Sequence, residues 1–365
     1  MSAARASSLG QLLILGVRDH GWSPSLERVL HMIEPGGVLF YPEALRSPSE
    51  TAELLHQIAR TLDSPPFLAI AEEGGSVNPL RALLPPLPAP RSLARRGPAV
   101  VKRAGELIGS ALKLLGFNLN LAPRLDLSNH QVSPDVDTQT FGEDPELVAK
   151  CGRAFLGGLR KHGILACGKH FPGQGLPECD SNEFAVVAKT MAELWREDLR
   201  PFRELLPQLP FIQVSNVCYK AYDFDVLRPA SLSANVVTGL LRVKLRYHGL
   251  VIADLMGPRK QLSRHMGPEG MLGIRYESLA ESVMAGCELE VVAGRVDNVF
   301  PQMQEALETG LLSRERVEDA LSRVRAAKKG LQRPSGKVSA RSFDRLGRER
   351  EKFSRLVKGG SKIGD

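Results

Sequence analysis

The sequence predicts a single α/β domain: a TIM-type (β/α)8 barrel over residues 1–330, followed by a basic, partly disordered tail over 331–365. Three observations predict it. Eight short apolar runs recur along the chain. Helix-like patterns sit between most of them, as in a parallel α/β fold. No G-x-G-x-x-G follows the first run, which argues against the main rival, an open dinucleotide-binding sheet.

The eight runs are Gln11–Leu15, Gly37–Tyr41, Phe67–Ala71, Phe117–Leu121, Ile164–Lys169, Phe211–Ser215, Leu250–Asp254 and Leu289–Ala293. Several are nearly continuous Val, Ile, Leu and Ala, the pattern of parallel strands buried on both faces. The clearest helix follows Gly142-Glu143-Asp144-Pro145. Asp144 suits the cap and Pro145 the first helical position. Leu147, Cys151, Ala154, Phe155 and Leu159 then share one face, and Gly163 ends the segment. A second stripe, Val317, Ala320, Leu321, Val324 and Ala327, closes with Lys328-Lys329-Gly330, cations and a glycine at a helix C-terminus.

Composition excludes several classes. Apolar residues make up 43% and charged residues 24% of the chain, as in a soluble globular protein. No apolar run is long enough to span a membrane. The N-terminus lacks the apolar core of a secretory signal, so a cytoplasmic location is expected. The five cysteines, Cys151, Cys167, Cys179, Cys218 and Cys287, form no C-x-x-C pair. They read as buried free thiols rather than a disulfide or zinc framework. Of the net charge of +7, the segment 331–365 carries +6, from ten Lys/Arg and four Asp/Glu. That composition reads as a solvated extension that adds little to barrel stability. The near-neutral body argues against a nucleic-acid partner.

In a barrel the reacting groups come from the C-terminal strand ends. Here those ends include Glu72-Glu73-Gly74-Gly75, Pro123-Arg124, Lys169-His170, Ser215-Asn216 and Asp254. A buried strand that ends in Lys-His and runs into Phe171-Pro172-Gly173-Gln174-Gly175 has no simple packing explanation. Asp254, after Leu250-Val251-Ile252-Ala253, suits a nucleophile or general base, or a buried partner for Lys169. Together these residues bear a resemblance. Lys169–Gly175 is similar to the K-H-F-P-G-H-G signature of glycoside hydrolase family 3, within the bacterial β-N-acetylhexosaminidase branch of cell-wall recycling. Glu72-Glu73-Gly74-Gly75 resembles part of its D-x-E-G-G-R segment. Asn120-Leu121-Ala122-Pro123 and Phe141-Gly142-Glu143-Asp144-Pro145 match its L-A-P and F-G-x-D-P stretches, and Ser231-Leu232-Ser233 and Ile252-Ala253-Asp254 follow in order.

The resemblance implies hydrolysis of terminal N-acetylglucosaminides by a retaining mechanism, with a carboxylate attacking the anomeric carbon. It maps the nucleophile onto Asp254 and the hydroxyl-binding pair onto Lys169 and His170. Asp180 maps onto the acid/base dyad, but Asn182 stands where that dyad's histidine belongs, and an amide does not protonate a leaving oxygen. Glu178 and Glu183 flank Asn182 as candidate substitute acids. The family's sugar-binding Asp and Arg fall on Ala71 and Ser76. Its next Arg falls on Gln139, its second signature His on Gln174 and a sixth-strand His on Asn216; Gln139 and Asn216 remain candidate sugar contacts. Two readings follow: a glycosidase with weak turnover, or a carbohydrate-binding or regulatory protein on the same barrel. The implied ligand is an amino-sugar glycoside. No cofactor or metal is implied, no nucleic-acid or membrane partner is expected, and the chain is expected to act as a monomer.

Overall fold

The computed structural model describes residues 9–19, 21–128, 137–174, 185–254, 276–292 and 299–359. Eight parallel strands form a closed barrel: β1 (Leu13–Val17), β2 (Gly37–Phe40), β3 (Phe67–Ile70), β4 (Leu119–Asn120), β5 (Leu165–Phe171), β6 (Phe211–Val214), β7 (Leu250–Asp254) and β8 (Leu289–Val292). Each pairs with its neighbours in sequence, and β1 pairs with β8 through Leu13↔Glu290 to close the ring. All eight coincide with the apolar runs. The first begins at Leu13 rather than Gln11, because Gln11 sits in the turn and donates its amide to Glu34 O.

Burial on both faces holds the strands in place. β2, β3, β6 and β8 are buried along their whole length. Phe67 of β3 meets Phe211 of β6 edge-on, with centroids 5.1 Å apart. These strands are not neighbours, so the contact crosses the barrel interior and fills it, as side-chain layers do in this architecture. The helix Pro145–Arg160 is capped by Asp144, which accepts from the N–H groups of Glu146 and Leu147. The helix Arg314–Lys328 buries Val317, Ala320, Leu321 and Val324. A short parallel ribbon, Val186–Val187 with Cys218–Tyr219, lies among the connections after β5 and β6. Among the described residues no helix is long and apolar enough to cross a membrane.

The segment after Leu331 is not the solvated extension its composition suggests. Residues Ala340–Lys358 form a helix that packs on the helix Pro98–Leu115. Phe343, Leu346, Arg350, Phe353 and Val357 are buried along one stripe, at the alternating three- and four-residue spacing of an amphipathic helix. The approach to it is also tied down. Arg333 donates to the carbonyls of Ala59, Leu62 and Asp63, and the His56 ring is 2.7 Å from Pro334 O. Ser354 Oγ donates to Pro86 O at 2.9 Å, and Arg103 pairs with Glu349 at 3.0 Å.

Candidate active site

Because all eight strands run parallel, their C-terminal ends share one rim. β5 contributes Lys169 and His170. Lys169 Nζ lies 2.5 Å from Glu73 Oε1, and both side chains are under one-tenth exposed. Glu73 reaches it from the loop after β3, so the pair spans the mouth across β4. Among the described residues the ion pair of Lys169 is with Glu73. Among the described residues, the buried Glu73 Oε2 meets no hydrogen-bond partner. An ammonium carries three N–H donors, so this pairing leaves Lys169 further capacity to donate.

Asp126, four residues after Ala122 in the connection that follows β4, holds His170. One carboxylate oxygen is 2.8 Å from His170 Nδ1, while the other accepts from the backbone N–H of His170 at 3.1 Å and of Gln174 at 2.9 Å. Arg124 Nε lies 3.3 Å from the same carboxylate. Burial raises the Asp126 carboxyl, but His170, Arg124 and the Gln174 N–H more than reverse this and bring it down to about 2. Asp126 therefore stays ionised and fixes the ring through Nδ1. Nε2 is left as the ring atom able to meet a ligand.

Two glycines allow the backbone to make these turns. Gly173 has φ +115° and supplies the carbonyl that accepts from the buried Tyr219 hydroxyl; a Cβ there would come 2.7 Å from Asp198 Cβ. Gly75, at φ +60°, sits against Ala89, whose Cβ would lie 2.8 Å from an added one. Such positions favour glycine.

Gln139 is buried beside this second loop. With its amide oriented so that Nε2 donates to Gly74 O at 3.2 Å, its Oε1 accepts from Ser76 N and Ser76 Oγ at 2.9 Å each. It therefore braces the Gly74–Ser76 turn. Asn216 follows β6, and its Oδ1 accepts from Ser231 Oγ at 3.1 Å. The backbone of Asp254 ends β7, in register with Val291 of β8; its side chain lies outside the described residues. So do Glu178, Asp180, Asn182 and Glu183. Among the described residues no set of three His, Cys, Asp or Glu side chains forms a metal-ligand group.

Sequence reasoning passes over Asp126, and it places Arg124 and Glu73 at the rim without the groups they hold. A lone Asp between Leu125 and Leu127 was the available signal for the first. Its meaning depends on the β4–β5 neighbourhood, which brings it beside a histidine 44 residues away.

The profile described as the glycosyl hydrolase family 3 N-terminal domain matches residues 7–327. A β-hexosaminidase of Pseudomonas aeruginosa (strain LESB58) is 31% identical over 275 residues, covering 74% of this chain and 79% of that protein. Among solved structures, a glycoside hydrolase family 3 β-N-acetylglucosaminidase from Paenibacillus sp. str. FPU-7 superposes with a TM-score of 0.82 at 26% identity, covering 97% of this chain and 69% of the other. A fungal multi-domain β-N-acetylglucosaminidase shares the fold at a TM-score of 0.85 and 23% identity. This chain covers 42% of that protein's length.

Proposed function

Since this chain belongs to glycoside hydrolase family 3, we propose that it hydrolyses terminal N-acetylglucosaminides by the retaining route, with weak turnover. The observation that carries the reading is the doubly braced pair on β5: Lys169 held by Glu73 and His170 held by Asp126. Two donors pre-aimed at one mouth suit a ligand rich in hydroxyl groups. The β-hexosaminidase relative, aligned over most of both chains, supports the choice of sugar.

Asp254 is the nucleophile in this reading. Its carboxylate attacks the anomeric carbon as the leaving oxygen departs, and water then cleaves the glycosyl-enzyme. Lys169 and His170 Nε2 bind sugar hydroxyls, with Asn216 as a further contact. Gln139 acts through the Gly74–Ser76 turn. Asp180 remains from an acid/base dyad whose second member is Asn182, so the first step lacks its usual proton donor. Loss of a general acid costs roughly 10²–10⁴-fold in rate. Glu178 and Glu183 are the substitutes to test. The four described cysteines are free and buried, which fits a reducing, cytoplasmic setting.

The test is steady-state hydrolysis of a nitrophenyl and a methyl N-acetylglucosaminide by wild type and Asp254→Ala. The nitrophenyl glycoside, whose leaving group needs little protonation, should be cleaved far faster, and Asp254→Ala should abolish turnover. Comparable brisk rates on both substrates would show a working acid, pointing to Glu178 or Glu183. Activity that survives Asp254→Ala would refute the nucleophile. No cleavage of either substrate would leave sugar binding without hydrolysis.

A further inference from the structure

The helix Ala340–Lys358 lies beyond the residues matched by the family profile, yet it reaches Glu72, the residue before Glu73 of the candidate site. Arg350 and Glu72 are both fully buried, and Arg350 Nη2 lies 3.1 Å from Glu72 Oε1. Arg350 Nε donates to Pro85 O at 2.9 Å. Glu72 is held on every side. Its second oxygen accepts from Leu80 N at 3.3 Å, its backbone N–H donates to Asn120 Oδ1, and its carbonyl accepts from Asn120 Nδ2, both at 2.9 Å. The next residue is Glu73, the partner of Lys169. Two consecutive buried carboxylates thus meet two cations, one from the C-terminal helix and one from β5.

A buried carboxylate is tolerated only with a matched cation; Arg350 meets Glu72 and Lys169 meets Glu73. Burial raises the Glu72 carboxyl above its ordinary value; Arg350 is the strongest influence opposing that rise, and Glu73 adds to the rise. We infer that Arg350 is a positioning residue for the sugar site: by neutralising Glu72, it reserves Glu73 for Lys169 and fixes where the Lys169 ammonium stands. The sugar-binding role of Lys169 rests on the proposed function. The pairing does not, and the test reads the pairing.

The experiment is trace acetylation of the folded full chain with acetic anhydride, with each lysine quantified by peptide mass spectrometry. Lys189, which pairs with Asp198 at 2.6 Å, and the buried Lys328 serve as internal controls. Acetic anhydride attacks only the free amine. Arg350→Met leaves Glu72 uncompensated beside Glu73, and the added negative charge favours the Lys169 ammonium, so Lys169 should label at least ~3-fold more slowly while both controls stay at wild-type rates. The double variant Glu72→Gln/Arg350→Met removes both charges and should restore wild-type labelling of Lys169. Unchanged Lys169 labelling in Arg350→Met would overturn the inference. So would faster labelling of Lys169, alone or with the controls, which marks loosening, or a double variant that fails to restore the wild-type rate, which marks packing rather than charge. Should Arg350→Met not fold, the double variant and Arg350→Lys carry the test. Both leave no uncompensated carboxylate, and a changed rate at Lys169 alone in either overturns the inference. Wild type that fails to cleave the aryl glycoside would refute the proposed function and leave this result standing.

Discussion

Phe353→Ala separates a docked helix from a solvated tail. Phe353 is 6% exposed on the inner stripe of the helix Ala340–Lys358, with Phe343, Leu346 and Val357 buried along the same face. Truncating a buried phenylalanine costs about 3–5 kcal/mol, from lost transfer energy and the cavity left behind. The same change in a solvated segment stays within about 0.5 kcal/mol. The two expectations thus differ several-fold. The neighbouring Lys352 is exposed, so Lys352→Ala serves as a matched control. The assay is urea unfolding of the full chain followed by circular dichroism, with stability read from the midpoint at unchanged slope. Phe353→Ala should lower stability by about 3 kcal/mol or more and Lys352→Ala should leave it unchanged. A loss below about 0.5 kcal/mol in Phe353→Ala would mean the helix does not pack as described.

Two further predictions concern pH. Asp126, held down to about 2, is stabilised by its partners above the ordinary carboxylate range and loses that contribution as pH falls from roughly 4 towards 2. Wild type should therefore lose on the order of 2 kcal/mol across that window that Asp126→Asn does not; equal acid losses in urea midpoints at pH 5 and 2.5 would refute this. Burial pushes the Lys328 ammonium down to about 7, so from pH 7 to about 10 the unfolded chain binds the extra proton and native stability rises with pH. Lys328→Met should stabilise most near pH 6, with the gain shrinking by pH 10. Gln11 and Ser64, its partners, still bond each other at 3.1 Å. A pH-independent gain in thermal midpoint would count against the buried charge.

The barrel was legible because parallel strands covered on both faces leave continuous apolar runs, and each run from Gly37–Tyr41 onward landed on its strand. Asp144 announced its helix through local chemistry alone. The helix Ala340–Lys358 was hidden by averaging. Its mean composition is that of a solvated segment, while Phe343, Leu346, Phe353 and Val357 keep a helical period around an arginine that reads as surface. Period, not composition, was the signal. At the site, Lys169-His170 stood out because charge at the end of a buried strand is unusual. Asp126 did not, and Glu73 stood at the rim without its partner, because their meaning depends on which strands become neighbours once the ring closes.

The docking of the C-terminal helix also sets an order of events during synthesis. Residues 333–354 bind Ala59, Leu62, Pro85, Pro86 and Glu72, and β1 waits for β8 to pair along its open edge. A ribosome therefore releases the early half of the barrel long before its partners exist. Until they emerge, that half presents an unpaired strand edge, an uncovered face of the helix Pro98–Leu115 and a carboxylate without its cation. Such an intermediate is what chaperones hold and what aggregates form from. Shortened chains of this protein are then expected to fail as nascent polypeptides rather than as weakened enzymes, and yield on expression becomes a readout of the C-terminal helix.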